Sequence, residues 1–259
     1  MILRSVMKHV RDQNWFAVGL DFLIVVVGVF IGIQVANWNE EQSERREEVL
    51  IVERLAVEVE SLLEIQREQL AENEARAQLV ISINPLLFGQ EPPQPLSDAQ
   101  CMGVVASHVI RPPTDELPIL DELQESGRFD RIRDPELKSR LRNYILLRQR
   151  GRGHYREVTN EMFRLHSRYA EAIRIERAPL EGDSPARWTS LSGEGYRWQA
   201  RCDLAALKAS PQFLNEFVDN ASRRVTHMRF YEDRIAALNA IADVLRARSE
   251  QPSVREVER

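Results

Sequence analysis

The residues best equipped for chemistry are few and scattered. The histidines are His9, His108, His154, His166 and His227. None of them forms H-E-x-x-H, the spacing that sets two imidazoles on one helix face around zinc with a base beside them. The only cysteines, Cys101 and Cys202, are too far apart to make a local metal knuckle. No G-x-S-x-G elbow presents a nucleophilic serine, and no glycine-rich loop ending in Gly-Lys cradles a phosphate. Gly151-Arg-Gly153 and Gly193-Glu-Gly195 are too short for a dinucleotide fingerprint. Carboxylates are plentiful but lie along solvated helix faces, so no particular pair stands out. The expectation is no catalytic residue, no cofactor, no metal and no enzymatic activity. Cys101 and Cys202 form one disulfide if the compartment is oxidising, or otherwise two separately buried thiols.

The remaining unusual residues sit in one apolar stretch, Trp15 to Trp38. Phe22 to Ala36 carries no charge. Admitting Asp21 extends the run to both tryptophans, whose indoles would stand roughly 35 Å apart on a helix. That spacing matches a hydrocarbon core of about 30 Å with aromatic anchors at each edge. Asp21 is then an intramembrane acid, costly unless it finds headgroups, a partner or a proton. Gly28 and Gly32 form a GxxxG, a spacing that lets two helices approach closely, and Gln34 could bond across such a contact. A buried soluble helix and a cleaved signal peptide are the alternatives. Cleavage needs a small-x-small site, and Gln34 precedes Asn37 where a small residue should stand.

Net charge is −5 and the sequence pI about 5.7, unlike the basic footprint of a nucleic-acid binder. The 259 residues allow an anchor plus one domain, and 43% hydrophobic residues suit a largely globular chain. Arg4, Lys8 and Arg11 precede the span; Arg45 and Arg46 follow it among five glutamates in NEEQSERREE. That bias expects a cytoplasmic amino terminus and a periplasmic body, in a bacterial inner membrane.

The chain then divides as follows. Residues 1–13 form an amphipathic cytoplasmic segment, 14–38 the transmembrane helix and 39–84 a stem helix. Val52, Leu55, Val59 and Leu62 stripe the stem and require a partner helix. A stem of forty residues would span roughly 60 Å and hold the body off the membrane. Residues 85–133 are loop and short helices, with Ser97-Asp98 starting one and Gly127 closing another. Asp134-Pro135-Glu136 starts a long helix over 134–176, within which Gly151 and Gly153 predict a kink or a close helix crossing. Residues 177–210 are an irregular loop with Trp188, Tyr196 and Trp198, then a short helix carrying Cys202. A long carboxyl-terminal helix spans 211–249, its stripe read as Phe213, Phe217, Ala221, Val225, Met228, Tyr231, Ile235, Leu238, Ala242 and Leu245. Residues 250–259 are a tail. The expected fold is all-α: a single transmembrane helix continuing into an extended bundle of about three long helices, with no strands.

The run DFLIVVVGVFIGIQVANWNE at 21–40 resembles the start of a widespread group of bacterial single-pass membrane proteins. That group shows an acid, a Val/Ile-rich helix, then Gln-x-x-Asn-Trp-Asn-Glu. Asp21, Gly28, Gln34, Asn37, Trp38, Asn39 and Glu40 match, although Asp21 stands where the group mainly carries Glu. The block LDELQESGRFDRIRDPELKSRLRNYI at 120–145 is also similar, through Leu120, Leu123, Ser126, Gly127, Ile132, Glu136, Leu137, Leu141 and Tyr144. The resemblance implies topology, with Trp38 as an interfacial anchor, and implies no activity.

The leading functional expectation is a non-enzymatic scaffold or interaction module of the bacterial envelope. Its partners would be the lipid bilayer and a second copy or another envelope protein, with no nucleic acid. A sensor or ligand-binding receptor acting through a partner is the alternative, favoured if Trp188, Tyr196 and Trp198 line a cavity. A periplasmic hydrolase ranks below both.

Overall fold

No proline interrupts Trp15 to Ile81, and these residues form one continuous helix, α1 (Trp15–Ile81). The computed structural model describes residues 15–89, 94–179 and 196–250, without the side chains of 15–19 and 21. The segment 1–13, Trp188 and most of the tail 250–259 therefore lie outside the described residues, as do the side chains of Trp15 and Asp21. At 1.5 Å per residue α1 is about 100 Å long. Its first part is bare: Phe22 to Val35 is exposed at every described position.

The body begins within two turns of Trp38. Glu44 takes Arg131 at 2.6 Å and Arg133 at 2.7 Å, while Glu47 takes Arg128 at 2.8 Å. Glu48, buried, accepts from the Arg133 N–H at 2.9 Å and from Arg248 at 3.3 Å. The expected stand-off stem is thus an integral core helix from Glu44 onward. α1 ends at Ile81, and after a turn at Ser82–Ile83 a separate short helix, α2 (Asn84–Phe88), carries Pro85 in its first turn, where a missing N–H costs nothing.

Short elements follow. α3 (Asp98–Val105) starts with a capping box between Ser97 and Gln100. α4 (Pro118–Glu125) ends at Gly127, whose φ of 70° suits glycine. A 3₁₀ turn spans Arg128–Arg131. α5 (Pro135–Glu161) opens where Asp134 accepts the N–H groups of Glu136 and Leu137 at 2.8 and 3.0 Å, as the sequence predicts.

α5 stops fifteen residues before the predicted end. Asn220 takes both backbone groups of Phe163, accepting its N–H at 2.9 Å and donating to its carbonyl at 2.8 Å. Those bonds replace the helical ones and turn the chain into α6 (Leu165–Arg168) and strand β1 (Ile173–Pro179). β1 pairs antiparallel with β2 (Tyr196–Cys202), Ile173 opposite Cys202 and Pro179 opposite Tyr196. This hairpin corrects the expectation of no strands: the described residues are mostly helical, with one small β-hairpin. Tyr169 and Ile173, inside the range expected to be helix, instead cap α6 and open β1. Cys202 ends a strand rather than lying in a helix; α7 (Leu204–Lys208) begins after it, capped by Asp203.

α8 (Pro211–Glu250) returns antiparallel to α1 and α5, shown by Arg248 on Glu48, Arg67 on Asn239 and Arg223 on Glu161. Two apolar cores result. One joins Leu55, Val59, Leu62, Leu120, Leu141, Leu238 and Ile241. The other joins Val80, Ile83, Val104, Ile173, Leu207, Phe213 and Phe217. At about 25 cal/mol per Å² of apolar area removed from water, such burial supplies the main drive for folding.

Candidate functional site

Between the two cores the bundle is polar. α8 contributes Asn220, Arg224, His227, Tyr231 and Arg234, and α1 contributes Gln66 and Asn73, all buried. Along α8 the buried positions 213, 217, 220, 224, 227, 231, 234, 238, 241 and 245 alternate four and three residues without a break. That is one uninterrupted heptad seam whose middle is filled with polar side chains. The apolar stripe read from the sequence drifts off it there: Val225 is exposed and Met228 only half-buried.

Hydrogen bonds tie this waist together in part. Gln66 donates to the Thr114 carbonyl, and its oxygen accepts Arg234 Nε at 2.9 Å. Tyr144 donates to the Asp115 carbonyl at 2.8 Å. Asp115, wholly buried, receives Arg152 Nε and Nη2 at 2.9 and 2.6 Å. Gly151 permits the close packing of α5 on α8; a β-carbon there would stand 3.0 Å from Arg234 Nη1. The close crossing expected at these glycines is found at Gly151, and α5 runs on as helix through both.

Other polar atoms have no partner among the described residues. They include both Arg234 Nη atoms, Arg224 Nε and Nη1, Asp115 Oδ2 and both ring nitrogens of His227. Burial holds His227 down to about 4, with the Arg234, His154 and Arg224 charges adding to the effect. Burial likewise lowers Arg224 to about 10, and Arg76 nearby is a second cation pushing the same way. The Arg234 guanidinium lies 4.5 Å from the Tyr231 ring centroid, a cation–π contact. Tertiary folding pairs histidines distant in sequence: His154 stacks 6.2 Å from His227, and His108 lies 5.6 Å from His166. Among the described residues no group of three or more His, Cys, Asp or Glu is placed to hold a metal ion.

The residues singled out in the apolar stretch are spread along the bare part of α1. A β-carbon at Gly28 or Gly32 would meet nothing within 4 Å, so that face is open. Gln34 is exposed but turned away from it, because positions two apart on a helix do not share a side. Trp38 is 65% exposed. Trp15 opens the helix. An 18-residue window here has mean hydropathy 1.9 with none of it buried, long and apolar enough to cross a membrane.

Cys101 and Cys202 are joined by a disulfide, Cα to Cα 5.6 Å, linking α3 to β2 inside the second core. On the hairpin, Tyr196 and Trp198 close on Arg177, whose guanidinium carbon lies 4.4 and 5.7 Å from their ring centroids. They are hairpin residues rather than part of a packed loop. No protein-family model, no curated protein and no solved structure matches this chain.

Proposed function

We propose that the chain is a single-pass membrane protein whose helical body works by binding, without catalysis, at the outer face of a bacterial inner membrane. The observation that carries this reading is the bare apolar start of α1, which continues unbroken into the core of the body. A soluble fold would leave that surface wet, and exposed apolar area on this scale marks a membrane or protein contact. The amino terminus is cytoplasmic by the Lys/Arg bias, and the disulfide suits an oxidising compartment outside the cytoplasm. The resemblance at 21–40 and 120–145 supports the same topology. The open Gly28–Gly32 face supports contact with a second copy.

Carbonate extraction of membranes, with alkaline phosphatase fused to the carboxyl end, tests the anchor and its direction. The protein stays in the pellet and the fusion is active; release by carbonate, or an inactive fusion, overturns the reading. Light scattering of purified protein against Gly32→Leu tests self-association, which a monomer in both cases rejects. A ligand-binding module acting through a partner is the second reading. It is favoured by the buried arginines Arg224 and Arg234 with unpartnered donor atoms.

A further inference from the structure

Arg224 reaches from α8 under the carboxyl end of α3. Its Nη2 donates to the carbonyls of Ala106, Ser107 and Val109 at 3.0, 3.0 and 2.8 Å. The side chain is 3% exposed, yet Nε and Nη1 have no partner among the described residues. Among the described residues no carboxylate is bonded to it. The same arginine lines a groove of about 470 Å³ between α1, α3 and the irregular chain after it. Arg76 and Arg111 line that groove too, and they share a single carboxylate, Glu72, at 3.3 and 3.1 Å. Three guanidinium groups thus line the groove, and one acid, Glu72, is bonded to two of them. The remaining walls are apolar, supplied chiefly by Leu79, Met102 and Val109, of which Leu79 and Val109 are exposed.

A buried cation without a counter-charge is expensive, and its cost falls when an anion binds beside it. A groove with apolar walls and a few converging charges is also the usual form of a small-molecule site, and this volume lies in the usual range. We propose that the groove binds a single-tailed amphiphilic anion, its carboxylate or phosphate head against Arg76 and Arg111, over the buried charge of Arg224, and its tail on Leu79, Met102 and Val109. A bilayer lipid is a poor fit. Arg76 lies forty residues beyond Ala36, about 60 Å along α1 from the end of the uncharged run. Two acyl chains would also overfill the space. The ligand is therefore a free molecule that reaches the body from solution, a choice that rests on the membrane anchor proposed above.

The test uses full-length protein in phosphatidylcholine nanodiscs and a diazirine-bearing decanoate as probe, with labelled peptides mapped by mass spectrometry after irradiation. Label is expected on peptides containing Leu79 and Met102. Decanoate and decyl phosphate should compete, while decanol and inorganic phosphate should be at least tenfold weaker. Arg76→Gln combined with Arg111→Gln removes surface charge, and Leu79→Trp fills the groove from an exposed position. Each should cut labelling at least fivefold with the circular dichroism spectrum unchanged. Competition by decanol equal to that by decanoate overturns the proposal, as does label confined to residues 22–36 or full labelling in both variants. Loss of labelling when phosphatidic acid is added to the discs would make a bilayer lipid the occupant and also overturn it.

Discussion

His227 concentrates the electrostatic character of the waist in one side chain. It is 2% exposed, edged by Tyr231 at 5.5 Å and Tyr155 at 6.1 Å, and faced by the cations Arg224 and Arg234 and by His154. Unfolded chain takes up a proton on this ring near the usual 6.5, whereas the folded protein resists until about 4. The unfolded state therefore binds more protons throughout that window, and stability falls as pH drops through it. The loss attributable to this ring is roughly 3 kcal/mol between the two values. Thermal unfolding followed by circular dichroism at pH 7 and pH 4 measures it, and His227→Phe should flatten that part of the profile. A profile as steep in the variant as in the parent would place the acid sensitivity elsewhere. The five histidines looked unconnected in the sequence because imidazole pairs at separations such as 154 and 227 are set by helix packing, which no local spacing encodes.

Helix α5 carries two glycines with opposite roles. Gly151 lies against Arg234 and Phe230, while a β-carbon at Gly153 would meet nothing within 4 Å. Gly153→Ala should raise stability by about 1 kcal/mol, the usual difference in helix propensity. Gly151→Leu should lower it by about 1–3 kcal/mol through overpacking against a buried guanidinium. Denaturant titration of both variants checks the pair, and equal effects would deny the close crossing. Both glycines were legible in the sequence as departures from good helix formers; which one touches α8 was not. The same limit applies to the end of α5. The apolar spacing through Ile173 allows the helix to continue, and only Asn220, on a distant helix, supplies the bonds that stop it.

At the scale of the whole molecule, the Cys101–Cys202 disulfide closes a loop across most of the body, at a separation of 101 residues. A loop of that length constrains the unfolded chain by about 4.7 kcal/mol in the chain-entropy account. Cys101→Ala with Cys202→Ala, or reduction of the intact protein, should lower stability by roughly 3–5 kcal/mol without changing helix content. Denaturant unfolding with and without reductant measures it; no difference would mean that the reduced form is held equally well by the second core. The acid-rich stretch at Glu44–Glu48 meets Arg128, Arg131, Arg133 and Arg248, so the body is fastened to α1 directly beyond its bare apolar part. The apolar part therefore joins the bundle through continuous helix rather than through a loop.

Short-range signals were sufficient for much of this protein. Hydropathy along 22–36 marked a segment that the folded body leaves bare, the Ser97 and Asp134 caps marked helix starts, and the three-four period marked α8 as a bundle helix. Each depends on neighbours within a turn or two, so the sequence alone carries it. The polar waist, the hairpin and the groove around Arg224 were decided by tertiary structure. Whether a polar side chain on a heptad seam is buried depends on what lies across from it, and Gln66, Tyr144 and Arg234 come together only when α1, α5 and α8 pack. Following the period alone, without asking for apolar residues, would have reached Asn220, Arg224, His227 and Arg234; hydrophobicity drew the reading one position aside.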